Sequence, residues 1–443
     1  MACKSDNWSV TTLKDCADWY SGGTPSTSVA EYWNGDIPWI TASSLHNFYV
    51  KDSERRVTPL GVANGTRLMP KGTILFVVRG MSLKTEFRVG ITCRPMAFGQ
   101  DCKALVAKNG VDPLFLANVL RAKSEEILGF VDEASHGTGR LATDAIQKLE
   151  ILLPPLDEQK AIAHILGTLD DKIELNQQMN QTLEAIARTL FKSWFIDFDP
   201  VRAKMDGRQP AGMDAETAAL FPDEFEDSAS GRIPKNWIYI SLSEMTDKNT
   251  PITYGVVKPG STDENGVLFI RGGDIENGQI KMEQLRTITK DVSEQYKRTV
   301  LRGGEILISL VGNPGQFAVV PDSLKGCNIA RQVGLIRLKD NHGVQYIKHF
   351  LESPVGQIEL LARSLGSVQQ VINLKDLKTL RIINPGNKLI KCFEDTVSPL
   401  YRKEQINLEQ NRTLYAIRDA FLPKLLSGEI RLKDAEEVVE AVV

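Results

Sequence analysis

The feature that most constrains the fold of this 443-residue chain is an internal repeat, because its two halves match at an offset near 230 residues. Residues 176–187 match residues 407–418 with six identities in twelve positions. Pro38-Trp39-Ile40 corresponds in the same way to Leu268-Phe269-Ile270. A period this long indicates a duplicated domain followed by a duplicated helix, because solenoids and propellers repeat every ~20–50 residues.

Each repeat begins with a mixed globular part. Short apolar runs bounded by Gly, Pro and Asn are typical of strands and turns, as in Gly72 to Val78. In the first repeat Leu149 to Leu153 is predicted to be the last strand. Pro154-Pro155 ends it, because proline lacks a backbone donor and biases the chain away from the α region.

A long helix is predicted to follow each globular part. Apolar residues recur in a 4-3 spacing from Ile162 to Trp194, and a weaker copy of this seam starts at Phe393. A single amphipathic helix packed on its own domain is one interpretation. Duplication favours another, in which the two helices bury their seams on each other as an antiparallel coiled coil. Four asparagines lie in the middle of the two seams, where buried amides fix the register of a helix pair: Asn176, Asn180, Asn407 and Asn411.

These patterns predict an α+β fold with two pseudo-repeated mixed α/β domains separated by a pair of long antiparallel coiled-coil helices. Ile165, Ile186, Phe191 and Phe195 flank the seam and are expected to present an apolar surface to partner proteins. The predicted segments are a first globular domain at 1–153, a central helix at 154–196, an acidic linker at 197–232, a second globular domain at 233–384, a C-terminal helix at 385–432 and an acidic tail at 433–443.

Composition excludes several classes of protein. The chain is 42% hydrophobic and 25% charged, with no run of 18 apolar residues, so we expect a folded cytoplasmic protein without a membrane partner. Its six cysteines form no CxxC pair, so no metal site is predicted. The formal net charge is -3, yet residues 51–108 hold eleven bases and four acids. That local excess could face a phosphate backbone, or it could be an ordinary solvated surface.

Three motifs carry a resemblance to a known family. Leu153-Pro154-Pro155-Leu156-Asp157-Glu158-Gln159 opens the central helix, Lys192-Ser193-Trp194-Phe195-Ile196-Asp197-Phe198-Asp199-Pro200 closes it, and Leu425-Leu426-Ser427-Gly428-Glu429-Ile430 lies near the end. Together they resemble the specificity subunit of type I restriction-modification systems, over essentially the whole chain. The second copy departs from the pattern, because Asn384-Pro385-Gly386-Asn387 replaces the Pro-Pro-Leu-x-Glu-Gln form.

The resemblance implies a function as well as a fold. The globular parts would be target-recognition domains, each reading one half of a bipartite, asymmetric double-stranded DNA sequence. The helices would dock methyltransferase subunits, two of them, and a nuclease/translocase subunit would join for cleavage. The chain would bind no cofactor, while its partners would use S-adenosylmethionine, ATP and Mg.

The motif content agrees with a non-catalytic subunit. The chain has no glycine-rich loop followed by Lys-Ser/Thr, no Asn-Pro-Pro-aromatic tetrapeptide and no spaced carboxylate-Lys set. We therefore predict no catalytic and no metal-binding residues. Two alternatives stay open, namely a diverged fused restriction or modification enzyme and a scaffold that binds proteins.

Candidate DNA contacts lie in polar loops of both repeats. Small residues let backbone N–H groups approach phosphate, arginine can read guanine O6 and N7, and a glutamine amide can read adenine. Ordinary surface loops would have a similar composition. The predicted contacts are Thr24, Thr41, Ser43, Arg79, Thr138 and Arg140 in the first repeat, and Arg271, Asn313, Arg331, Ser367, Gln369 and Gln370 in the second.

Overall fold

The computed structural model of the chain describes residues 7–133, 138–228, 231–282, 285–365 and 370–443. The chain divides into two compact units. Unit 1 comprises residues 1–176 and 409–443, and unit 2 comprises residues 177–408. None of the helices in the described ranges is long and apolar enough to cross a membrane.

Unit 1 contains the first globular part. Its strands are β1 (Ser9–Thr12), β2 (Ala17–Ser21), β3 (Trp33–Ile40), β4 (Tyr49–Val50), β5 (Arg56–Val57), β6 (Leu68–Met69), β7 (Ile74–Val77), β8 (Arg79–Gly80), β9 (Val89–Thr92), β10 (Met96–Phe98), β11 (Cys102–Ala107), β12 (Val131–Glu133), β13 (Gly139–Leu141) and β14 (Glu150–Leu153). Its helices are α1 (Leu13–Cys16), α2 (Pro59–Gly65), α3 (Pro113–Ala122), α4 (Ser124–Leu128) and α5 (Thr143–Gln147), and α6 (Leu156–Phe195) begins in this unit.

Two sheets and helix α3 enclose the core of unit 1. One sheet has the order β2-β11-β7-β9-β4 and the other β5-β3-β10-β6, with β3 and β10 parallel. The buried strand β7 reads Ile-Leu-Phe-Val without a polar residue, as expected for a strand covered on both faces. Helix α3 begins where the Asp112 carboxylate accepts the Phe115 N–H at 2.9 Å, with Pro113 in its first turn.

Unit 2 repeats this plan. Its strands are β15 (Phe225–Ser228), β16 (Gly231–Pro234), β17 (Ile238–Ser241), β18 (Thr253–Tyr254), β19 (Val267–Ile270), β20 (Ile275–Glu276), β21 (Gln279–Ile280), β22 (Arg286–Ile288), β23 (Ile306–Ser309), β24 (Phe317–Val319), β25 (Asn328–Ile329), β26 (Val333–Ile336), β27 (Ser364–Leu365), β28 (Val371–Ile372) and β29 (Arg381–Asn384). Its helices are α7 (Asp199–Met205), α8 (Ala215–Ala219), α9 (Leu242–Met245), α10 (Lys290–Gln295), α11 (Val344–Glu352), α12 (Pro354–Leu361) and α13 (Leu374–Lys378), followed by α14 (Asn387–Ser427) and, in unit 1, α15 (Leu432–Val442).

Strand pairing demonstrates the duplication within each unit. Strand β3 pairs in parallel with β10 in unit 1, and β19 pairs in parallel with β25 in unit 2. The first and last strands of each globular part are also antiparallel neighbours, β1 with β14 and β17 with β29. Helices α6 and α14 are long, with 40 and 41 residues.

The two long helices pack together through the asparagines. In unit 1 the Asn176 side chain donates to the Asn411 side chain at 2.9 Å. In unit 2 Asn407 donates to Asn180 at 2.7 Å. Residue numbers rise along α6 as they fall along α14, so the helices are antiparallel. The predicted α+β class with duplicated mixed domains and a helix pair is confirmed.

The segment predicted to be an acidic linker is folded. It contains α7, α8 and the hairpin β15–β16, and Val201 and Phe221 are fully buried in the core of unit 2. The predicted tail is likewise helix α15, which buries Ala435 and Val439 in the core of unit 1. Both segments carry many acids, but the apolar residues spaced between them face a core.

The surface expected beside the helix seam is mostly absent. Ile165 packs in the core of unit 1, and Phe191 and Phe195 pack in the core of unit 2. Only Ile186 of the four is exposed. The prediction failed because each globular part packs against its helix and covers the flanks of the seam.

Candidate nucleic-acid interface

Two of the predicted DNA contacts in unit 1 lie directly opposite each other. Strand β13 pairs with β8 so that Arg140 faces Arg79, and both residues are exposed. Residues directly opposite on antiparallel strands project from the same face. A Cβ added at Gly139 would lie 2.8 Å from the Cβ of Leu83, so glycine permits this close approach. The pairing register therefore joins two arginines that are far apart in sequence.

No carboxylate among the described residues forms an ion pair with Arg79 or Arg140. Asp132 on β12 lies opposite Arg140 on its other side, without an ion pair to it. The arginines border a cavity of about 620 Å³, which Gln100, Asp101 and Lys103 also line. Lys103 donates to the Ser21 hydroxyl at 2.6 Å. A basic surface with free guanidinium donors results, suited to phosphate or to guanine.

The other predicted residues of unit 1 lie outside the lining of this cavity. Thr24 is exposed, and Thr138 is half-buried directly before β13. Thr41 and Ser43 belong to a hydroxyl cluster in the turn after β3, where their oxygens lie 2.8 Å apart. The Ser44 hydroxyl accepts the Thr41 N–H at 2.8 Å and stabilises that turn.

Unit 2 has the same backbone framework at the equivalent place. The Val78 N–H donates to the Asp101 carbonyl at 2.8 Å in unit 1, and the Leu310 N–H donates to the Gln332 carbonyl at 2.7 Å in unit 2. Val311 and Val371 form the antiparallel bridge that corresponds to Arg79 and Arg140. Unit 2 therefore replaces the arginine pair with two valines.

A different group of arginines surrounds this place in unit 2. Arg271, Arg286 and Arg331 line a cavity of about 210 Å³. Arg286 and Arg331 are exposed. The Arg271 guanidinium donates from Nε and Nη2 to the two carboxylate oxygens of Asp274, at 3.0 and 2.7 Å. These hydrogen bonds raise the pKa of Arg271 above its ordinary value.

The remaining predicted residues of unit 2 are in loops. Asn313 is exposed between β23 and β24, and Gln370 is exposed directly before β28. Neither residue lines the arginine cavity. Ser367 and Gln369 lie outside the described residues.

Comparison with known proteins decides the family. Residues 5–185 match the model of the type I restriction modification DNA specificity domain. The specificity subunit of the type I restriction enzyme MjaIX from Methanocaldococcus jannaschii is 28% identical over 97% of this chain and 94% of its own. The chain belongs to the family of type I restriction-modification specificity subunits.

Other members of the family are similar to this specificity subunit. The EcoBI specificity subunit from Escherichia coli is 31% identical over 66% of this chain and 60% of its own. The crystal structure of the type I restriction-modification system S subunit from M. genitalium superposes with a TM-score of 0.60 at 15% identity, covering 96% of this chain and 98% of that one. At this identity the superposition supports the fold alone.

Sequence reasoning missed three residues of the two basic sites in this specificity subunit. Gln100, Lys103 and Arg286 line the cavities but were not predicted. The repeat offers a signal for one of them, because an offset of 231 residues pairs Gln100 with the predicted Arg331. Within the described ranges, no group of three His, Cys, Asp or Glu side chains could hold a metal ion.

Proposed function

We propose that this chain is the non-catalytic DNA-recognition subunit of a type I restriction-modification complex, and that its two units read different halves of one bipartite target. A single observation carries the proposal. Equivalent positions of the duplicated framework hold basic sites with different side chains, Arg79 and Arg140 in unit 1 and the arginine cluster around Arg331 in unit 2. Two sites of one design with different donors suit two half-sites of different sequence.

The charges explain why DNA is the favoured ligand. Arg79 and Arg140 hold like charges face to face, which lowers stability until an anion neutralises them. Duplex DNA supplies phosphates to neutralise them and base edges that guanidinium groups can read. A protein-binding scaffold has no comparable need for two like charges held face to face.

Methylation and cleavage belong to partner subunits in this proposal. Two methyltransferase subunits would bind the long helices and use S-adenosylmethionine, and a nuclease/translocase subunit would use ATP and Mg. The complex would act on double-stranded DNA in the cytoplasm. Leu175 and Ile186 on α6 and Ile406 on α14 are exposed apolar residues and are the candidate contacts on these helices.

A domain exchange tests the proposal. Residues 8–149 are replaced by the equivalent segment of a related specificity subunit, and the methylome of cells carrying the chain with its partner subunits is sequenced. We expect one half of the methylated sequence to change and the other half to stay the same. The matched exchange of residues 237–380 should change the other half. An exchange that alters both halves would contradict independent reading by the two units.

A biochemical assay separates the fused-enzyme alternative. The purified chain is incubated with duplex DNA and radiolabelled S-adenosylmethionine, with and without the methyltransferase partner. We expect methyl transfer only with the partner. Methyl transfer by the chain alone would overturn the non-catalytic role.

A further inference from the structure

The turn after strand β19 differs chemically from its counterpart in unit 1. In unit 2 the Asp274 carboxylate accepts the Arg271 backbone N–H at 2.8 Å. In unit 1 the Ser44 hydroxyl accepts the equivalent Thr41 N–H, also at 2.8 Å. The turns close in the same way, because the Asp274 N–H donates to the Arg271 carbonyl and the Ser44 N–H to the Thr41 carbonyl. Serine is therefore sufficient to hold this turn.

Asp274 does more than hold the turn. Its two oxygens also accept hydrogen bonds from Nε and Nη2 of the Arg271 guanidinium, and its side chain is only 5% exposed. The carboxylate is thus buried behind the guanidinium, whose own side chain is 31% exposed at the rim of the cavity. A bidentate ion pair removes most of the rotational freedom of a long side chain.

The pinned guanidinium has more donors than Asp274 accepts. Arginine carries five N–H groups in a planar fork, and Asp274 engages one edge of that fork. The edge formed by Nη1 and Nη2 has the spacing needed to contact guanine O6 and N7 together. Gly273, beside Arg271 in the same turn, is exposed with open space around it. A base edge can therefore approach the turn without meeting a side chain at Gly273.

We propose that Asp274 is a positioning residue, which orients Arg271 to read one guanine in the half-site of unit 2. This inference rests on the proposed function. It assigns a specificity determinant to unit 2 that unit 1 lacks, because Thr41 and Ser44 occupy the equivalent positions. A buried negative charge behind the arginine also weakens attraction to phosphate in general, so the pair favours selectivity over affinity.

The test uses the full chain with its methyltransferase partner and a target selected from random duplexes. Dissociation constants are measured for that target, for every single base-pair substitution and for a non-target duplex. Asp274→Ser keeps the hydrogen bond of the turn, as unit 1 demonstrates, but releases the guanidinium. We expect discrimination at one G·C pair to fall about tenfold, while affinity for non-target DNA is equal or higher.

Matched variants separate reading from folding and from charge. Arg271→Lys keeps the positive charge and should lose discrimination at the same base pair. Arg331→Ala, in the same cavity, should weaken binding to all duplexes alike. Thermal unfolding checks the fold, and Asp274→Asn repeats the test if Asp274→Ser unfolds at a lower temperature, because the amide oxygen can still accept the turn hydrogen bond.

Two outcomes would overturn different conclusions. A wild-type chain that binds all duplexes equally would refute the proposed function. A selective wild-type chain whose folded Asp274→Ser and Arg271→Lys variants keep full discrimination at every base pair would refute only the positioning role.

Discussion

Replacing Arg79 with Gln should change stability and DNA binding in opposite directions. Arg79 and Arg140 are exposed and directly opposite on neighbouring strands, and neither forms an ion pair within the described part of the chain. Like charges at such positions cost about 0.2–1 kcal/mol. Glutamine keeps most of the side-chain length, so Arg79→Gln should raise the free energy of unfolding by an amount within that range.

The effect on binding follows from counterion release. Each phosphate contact contributes about 0.9 to the slope of log affinity against log salt, so losing both arginines should lower the slope by about 1.8. Between 50 and 200 mM salt, the affinity of the wild-type chain should therefore fall about twelvefold more than that of the Arg79→Gln/Arg140→Gln variant. If Arg140 reads a base instead, Arg140→Gln should cost ~1–3 kcal/mol and relax one position of the target.

The assay is fluorescence anisotropy of labelled duplexes at four salt concentrations, with urea unfolding of the full chain measured in parallel. Arg94→Gln is the matched control. Arg94 is also exposed, but it follows β9, which runs antiparallel to β7, so it lies at the end of this sheet opposite Arg79. Arg94→Gln should leave the salt slope unchanged. Equal slopes for the wild-type chain and the double variant would show that the DNA surface of unit 1 lies elsewhere.

Three further predictions concern stability. Asp170 is 8% exposed between two arginine guanidiniums at 2.9 and 3.0 Å, so Asp170→Asn should cost about 3 kcal/mol in urea unfolding, and an unchanged midpoint would contradict that. Asn176→Leu leaves the Asn411 amide without its donor and should cost about 1–3 kcal/mol, whereas leucine at both positions should recover that loss in the same assay. Burial raises the pKa of Glu394 to about 7, so the folded state holds a proton that the unfolded state loses above about pH 4.5, and stability should fall as pH rises from 4.5 to 7. Glu394→Gln should remove most of that slope in unfolding measured at several pH values, and a slope equal to that of the wild-type chain would contradict it.

Much of the architecture could be predicted from the sequence because its signals are local or duplicated. The 4-3 spacing from Ile162 to Trp194 requires a long helix wherever that helix packs. The repeated asparagines also predicted which parts of the two helices meet, since Asn176 contacts Asn411 and Asn180 contacts Asn407. A repeated pattern is readable because it supplies two independent copies of the same constraint.

Composition was a poor guide to the acidic segments. The sequence predicted a linker at 197–232 because acids, Pro and Gly dominate there. Val201 and Phe221 nevertheless pack into the core of unit 2. Average composition hides the few apolar residues that decide whether a segment is folded, and their burial depends on which surface the fold places beside them.

The sequence by itself determined the duplication, the helix pair and a list of polar loops that could contact DNA. Only the tertiary structure decided which of those residues act together. Arg79 and Arg140 meet because β8 and β13 pair in one register, and a shift of one residue would turn one of them to the opposite face. Asp274 is inseparable from Arg271 because the turn directs its carboxylate onto the guanidinium. Such contacts depend on strand register and side-chain direction, which are settled only when the whole unit packs.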